Sequence, residues 1–176
     1  IEEANKEAIE EFTLERLQSY YIDHKELADS ATKTLSEARS ILPLNITAGF
    51  IFASIAIEVG LKTLLLKPIV YGLVNTESIA DLITDLTMAQ TSMNRYQKLL
   101  FQILEEHGNM DLNCITRNDS KKKLWEEINE VQKKRNAIMH GAETATKEEA
   151  ELAIDVAAEI LNIKTRITLA QWFPNL

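Results

Sequence analysis

Apolar residues along the chain recur at helical rather than alternating intervals, and the pattern breaks its 176 residues into helix-length blocks. Near the start, Ile9, Phe12, Leu17, Tyr20 and Tyr21 repeat loosely at helical spacing among Glu, Lys, Ala and Ser. From about Asp29 to Leu42, Ala31, Leu35, Ala38 and Ile41/Leu42 share one face, and Pro43 ends the stretch. These two blocks form either one long helix or two. Asn45 to Leu66 is the most apolar segment: Phe50, Phe52, Ala53, Ile55, Ile57, Leu61, Leu64 and Leu65 leave almost no polar face, which predicts a central, buried helix. Pro68 and Gly72 read as the connection that follows.

Thr76 is placed to cap a third long helix with an apolar face of Ile79, Leu82, Ile83, Leu86, Met93, Leu99, Leu100, Ile103 and Leu104, bent near Thr91 and Ser92. His107-Gly108-Asn109 reads as its stop, with a loop to Asn118. Asp119 or Ser120 opens a fourth helix, in which Leu124, Ile128, Val131, Arg135 and Ile138 keep 4-3-4-3 spacing. An arginine inside that apolar stripe is anomalous. A capping box, Thr146-x-x-Glu149, opens a fifth helix carrying Leu152, Ile154, Val156, Ala157, Ile160 and Leu161. The expected fold is therefore all-α, an antiparallel bundle of about five helices. It divides into an N-terminal helical extension (1–28), the bundle (29–162) and a C-terminal tail (163–176) that packs on the body or on a second subunit.

Composition narrows this picture. Five glycines and three prolines are too few for a turn-rich β-sandwich or barrel. The excess of 27 Asp+Glu over 19 Lys+Arg, a net charge of −8, argues against broad, sequence-blind binding of nucleic acid but leaves room for a small phosphate site. A single cysteine, Cys114, permits no intramolecular disulfide and suits a reducing, cytoplasmic compartment. Only His24, His107 and His140 are available as imidazole ligands, so no metal site and no cofactor is expected. The nearly uncharged run Ile46 to Ile57 is short of the ~18–20 residues of a membrane span and reads as core.

Hydrolase elbows, P-loops, dinucleotide fingerprints, HExxH and EF-hand loops are absent. Glu126, Glu127 and Glu130 have no accompanying Glu-x-x-His and read as a solvated helix face. Lys121 to Lys123 fall in the first turn of the fourth helix, where cations oppose the dipole, and read as an exposed run or an RNA-backbone contact. Glu58 and Lys62, four apart, form an ion pair along their helix, or one of them lines a cleft.

The stretch Lys133-Lys134-Arg135-Asn136-Ala137-Ile138-Met139-His140-Gly141 carries two readings. In one it is only a helix stop: cations and a histidine complement the dipole, and Gly141 takes the left-handed position after the last turn. In the other it is a site. Asn136 and His140 share one face, with Arg135 about 100° away, so a guanidinium, an amide and an imidazole project from one helix end. That trio suits a phosphodiester: guanidinium holds phosphate oxygens bidentately, imidazole titrates near neutrality, and the amide orients a partner.

Arg135 to His140 resembles the R-x4-H signature of the HEPN superfamily, with its polar residue directly after the arginine. Glu58-Val59-Gly60-Leu61-Lys62 is similar to the E-x-x-L-K run that often accompanies it. The resemblance covers about residues 28–162 and implies a helical bundle that dimerises, bringing two R-x4-H motifs into one cleft. It further implies a metal-independent endoribonuclease of the kind found in toxin–antitoxin and phage-defence systems, without cofactor. Arg135 and His140 would be catalytic and Asn136 supporting, with Glu58, Lys62 and Lys134 as weaker substrate contacts. The implied partners are RNA, a second copy of the chain and an antitoxin or other protein, with no membrane. The other reading is a non-catalytic HEPN-like domain that binds a nucleotide or a protein.

Overall fold

The computed structural model describes Arg16, residues 19–74, 76–88, Phe101, Glu105 and 113–172. The described residues form an all-α structure with no strand, only an isolated bridge between Thr116 and Lys123. A helical turn over 19–23 and a 3₁₀ turn at Lys25–Ala28 precede α1 (Asp29–Ile41), so the N-terminal blocks are separate pieces. Ala31, Leu35 and Ala38 are buried along α1, as their spacing predicts. The Asn45 side chain accepts a hydrogen bond from Ala48 N (3.0 Å) and starts α2 (Ile46–Gly60).

The α2 helix is the centre of the molecule, packed most extensively on α1 and on the long C-terminal α6 (Lys147–Trp172). Its approach to α6 is close at Gly60, where a Cβ would lie 2.9 Å from Ile160 Cγ2. A π-helical stretch, Leu61–Leu66, continues it into α3 (Lys67–Val74). Pro68 and Gly72 therefore lie within helix, not in a connection, and the reason is local. Proline has no N–H, so the Leu64 carbonyl four residues back loses its α-helical donor. The buried Tyr21 hydroxyl donates to that carbonyl instead, and the wider π turn accommodates the ring. The uninterrupted helix Ile46–Gly72 spans 27 residues, longer than the apolar run alone suggests; it is long and apolar enough to cross a membrane, while 61% of its most apolar window is buried within the fold.

Helix α4 (Glu77–Met88) begins directly after Thr76, whose carbonyl accepts from Ile79 N and Ala80 N. Its orientation differs from the periodicity-based expectation. Ala80 and Thr84 are buried, whereas Ile79, Leu82 and Leu86 are 46%, 58% and 61% exposed. Glu77, Asp81 and Asp85 lie at four-residue spacing, and Asp81 and Asp85 each meet a lysine at 2.6 Å, Lys67 and Lys62 respectively. The other expected members of this face, Met93, Leu99, Leu100, Ile103 and Leu104, lie outside the described residues, as do the bend at Thr91 and Ser92 and the stop at His107 to Asn109.

Helix α5 starts at Leu124 and ends at Gly141, several residues later than Asp119 or Ser120. The antiparallel bridge between Thr116 and Lys123, the Leu124 N to Ile115 O bond (2.8 Å) and a turn closed by Ser120 N to Arg117 O (3.1 Å) fold the chain back on itself up to Lys123. Lys121 to Lys123 consequently precede the helix instead of opposing its dipole from within. At the other end Gly141 is still helical, and Ala142 takes the left-handed conformation (φ 53°, ψ 28°) assigned from sequence to the glycine. Ala145 N then donates to Thr47 Oγ1 (3.1 Å), tying the connection to the start of α2. The capping box forms as read: Thr146 N donates to Glu149 Oε2 (2.7 Å) and Glu149 N to Thr146 Oγ1 (3.3 Å). Helix α6 runs on through the supposed C-terminal tail to Trp172.

Candidate functional site

Arg135 is the anomaly of α5. Leu124, Ile128 and Val131 occupy the same stripe one turn after another and are buried against the core. Continuing that stripe drives the Arg135 stem inward, and the side chain ends half-buried beside α2, with its Nη2 3.9 Å from Glu58 Oε2. At that distance the pair is held by charge rather than by a direct hydrogen bond. The Arg135 Nε–H is closed off from solvent and has no acceptor among the described residues. The exposed part of the guanidinium keeps N–H donors that an anion entering from solvent can meet.

Asn136, Met139 and His140 are exposed around this end of α5, and neither the Asn136 nor the His140 side chain hydrogen-bonds to another described residue. The fold brings Arg135 and Glu58 together and leaves the amide and imidazole open to solvent on the same helix end. The other two weaker candidates are engaged elsewhere. Lys62 pairs with Asp85 of α4 (2.6 Å), not with Glu58, so the expected ion pair along α2 is replaced by two pairs reaching other helices. Lys134 meets Glu143 at 3.1 Å and Glu149 at 3.3 Å, and the Glu143 hydrogen bond raises its pKa above the ordinary lysine value.

A second polar cluster escaped the sequence reading. Glu127 is only 2% exposed, not part of a solvated face. Arg117 Nε and Nη2 donate to its two oxygens at 2.7 and 3.1 Å, and the Ser120 hydroxyl donates at 2.7 Å. Burial alone would raise the Glu127 pKa; the hydrogen bonds from Arg117 and Ser120 outweigh it and hold the carboxyl below its ordinary value. Arg117 Nη1 also lies 3.4 Å from Asp155 of α6, so the cluster pins the 113–123 connection to α5 and α6. The available signal was position: Glu127 follows Leu124 by three and precedes Val131 by four, on the inward stripe.

Near the N-terminal pieces, the Tyr20 and His24 rings stack with centroids 4.0 Å apart, and His24 Nε2 lies 3.5 Å from Glu77. These contacts join residues 19–24 to α4 and are structural. Comparison of the chain with models of protein families, with curated proteins and with solved structures yields no match.

Proposed function

We propose that the chain is a HEPN-type, metal-independent endoribonuclease whose site is built on Arg135, Asn136 and His140 at the end of α5. One observation carries the reading: an arginine on an otherwise apolar stripe keeps part of its guanidinium exposed, 3.9 Å from Glu58, at the helix end that also carries an exposed amide and imidazole. A helix stop needs a cation near the last carbonyls, but it does not need the guanidinium turned inward toward α2. Together with the R-x4-H spacing, this arrangement supports phosphate recognition.

In the proposed reaction an RNA 2′-hydroxyl attacks the adjacent phosphorus and the bond to the 5′-oxygen breaks, leaving a 2′,3′-cyclic phosphate and a 5′-hydroxyl. His140 removes the 2′-hydroxyl proton or protonates the departing oxygen. Arg135 stabilises charge on the phosphorane, and Asn136 orients a reacting group. Two chains would present their motifs in a shared cleft, and a toxin or phage-defence role in the cytoplasm, with a cognate antitoxin, fits that chemistry. The test is RNA cleavage by purified protein in EDTA: His140→Ala abolishes it while circular dichroism stays unchanged. Full activity in that variant overturns the assignment.

A second reading has its own support. The exposed Ile79, Leu82 and Leu86 of α4 and the net charge of −8 favour a non-catalytic HEPN-like domain that binds a protein or nucleotide. It predicts no cleavage by the wild-type protein.

A further inference from the structure

The charges around Arg135 set a limit on the anion that the site accepts. Glu58 stands 3.9 Å from the guanidinium and is itself partly exposed, so it faces the same solvent region that an anion would enter. The two lysines flanking the pair supply no compensating surplus. Lys62 is neutralised by Asp85 at 2.6 Å, and Lys134 by Glu143 and Glu149 at 3.1 and 3.3 Å. Among the described residues, an anion at Arg135 therefore meets the guanidinium and the Glu58 carboxylate. A singly charged phosphodiester pairs with the exposed part of the Arg135 guanidinium at modest electrostatic cost. A doubly charged phosphomonoester places its second charge against Glu58 with no cation assigned to it.

We infer that Glu58 is a specificity-determining residue, making the site select internal phosphodiesters over terminal phosphates. The inference rests on the proposed phosphate-binding role of Arg135. Its expected size is that of one added like charge at short range near a surface, on the order of tenfold in affinity. Selection of this kind directs the protein to the interior of an RNA chain and lets it release products or fragments ending in a monoester.

The test compares two probes at pH 8: a 2′-O-methyl dinucleoside monophosphate, with one diester charge, and a nucleoside 3′-monophosphate, which carries two. Binding is followed by NMR through the Asn136 side-chain amide, on wild type, Glu58→Gln and Arg135→Ala, with thermal melts to check that each variant is folded. Wild type is expected to prefer the diester. Glu58→Gln tightens monoester binding about tenfold and diester binding much less, so the preference narrows or disappears. Arg135→Ala loses both ligands. Equal tightening of both probes, or weaker binding, in Glu58→Gln overturns the inference alone, provided that binding still depends on Arg135. If wild type binds neither probe, or Arg135→Ala binds both normally, the reading of the site fails and the inference falls with it. Should Glu58→Gln melt early, Glu58→Ala serves in the same comparison.

Discussion

Arg135 on α5 and Glu58 on α2 face one another across the helix interface at 3.9 Å, close enough for charge attraction and too far for a hydrogen bond. A structural ion pair in this half-buried position would normally close to direct contact. The open geometry leaves the guanidinium both oriented and available. Arg135→Lys separates these two properties. Lysine keeps the charge and removes the Nε–H that lacks an acceptor, but it cannot make two parallel hydrogen bonds to phosphate. Under the proposed function, RNA cleavage in EDTA is expected to fall about tenfold or more, with the melting temperature unchanged or slightly higher. Initial rates and a thermal melt on the same preparation decide this.

Tyr21→Phe tests how the central helix passes through Pro68. Removing the hydroxyl leaves the Leu64 carbonyl without the donor that replaces the missing proline N–H. The loss of stability is expected to be about 1–3 kcal/mol, read from chemical denaturation, with helical content retained. Burial raises the Tyr21 pKa, so the phenol stays neutral and donating at physiological pH.

The Glu127 cluster makes stability depend on acid. The folded carboxyl titrates below its unfolded value, so its contribution is fully present above the unfolded pKa of about 4.3. That contribution is lost as pH falls through the lower, folded value. Urea midpoints of the wild type are expected to drop over this acid range. Glu127→Gln flattens the dependence and lowers stability near neutrality by about 3 kcal/mol, because Arg117, largely buried, keeps only its longer contact with the exposed Asp155.

Ala142→Gly addresses the exit from α5. Ala142 holds φ at 53°, where an L side chain costs roughly 1–2 kcal/mol and glycine does not. Allowing for the greater freedom of glycine in the unfolded chain, the variant is expected to gain up to about 1 kcal/mol. A rise in melting temperature is the corresponding readout, and the proposed RNA cleavage should be unaffected because Arg135, Asn136 and His140 stay within the helix.

Much of this protein follows from local patterning. The spacing of Ala31, Leu35 and Ala38, the apolar run through α2, the Thr146–Glu149 capping box and the anomalous Arg135 are all visible in the chain, because short-range backbone geometry determines them. Tertiary structure decided what depends on partners distant in sequence. The Tyr21 hydroxyl carries the helix past Pro68, and α4 packs with Ala80 inward and Leu82 outward while its Asp81 and Asp85 meet Lys67 and Lys62. Arg117 supplies the counter-charge that the buried Glu127 needs, and Glu58 on α2 stands 3.9 Å from Arg135. Periodicity identifies a face of a helix, but it does not say which neighbour that face meets. Composition bears the same lesson for the scarce glycines: Gly141 marks the end of α5, yet the left-handed turn itself falls to Ala142, where the connection is tied to Thr47.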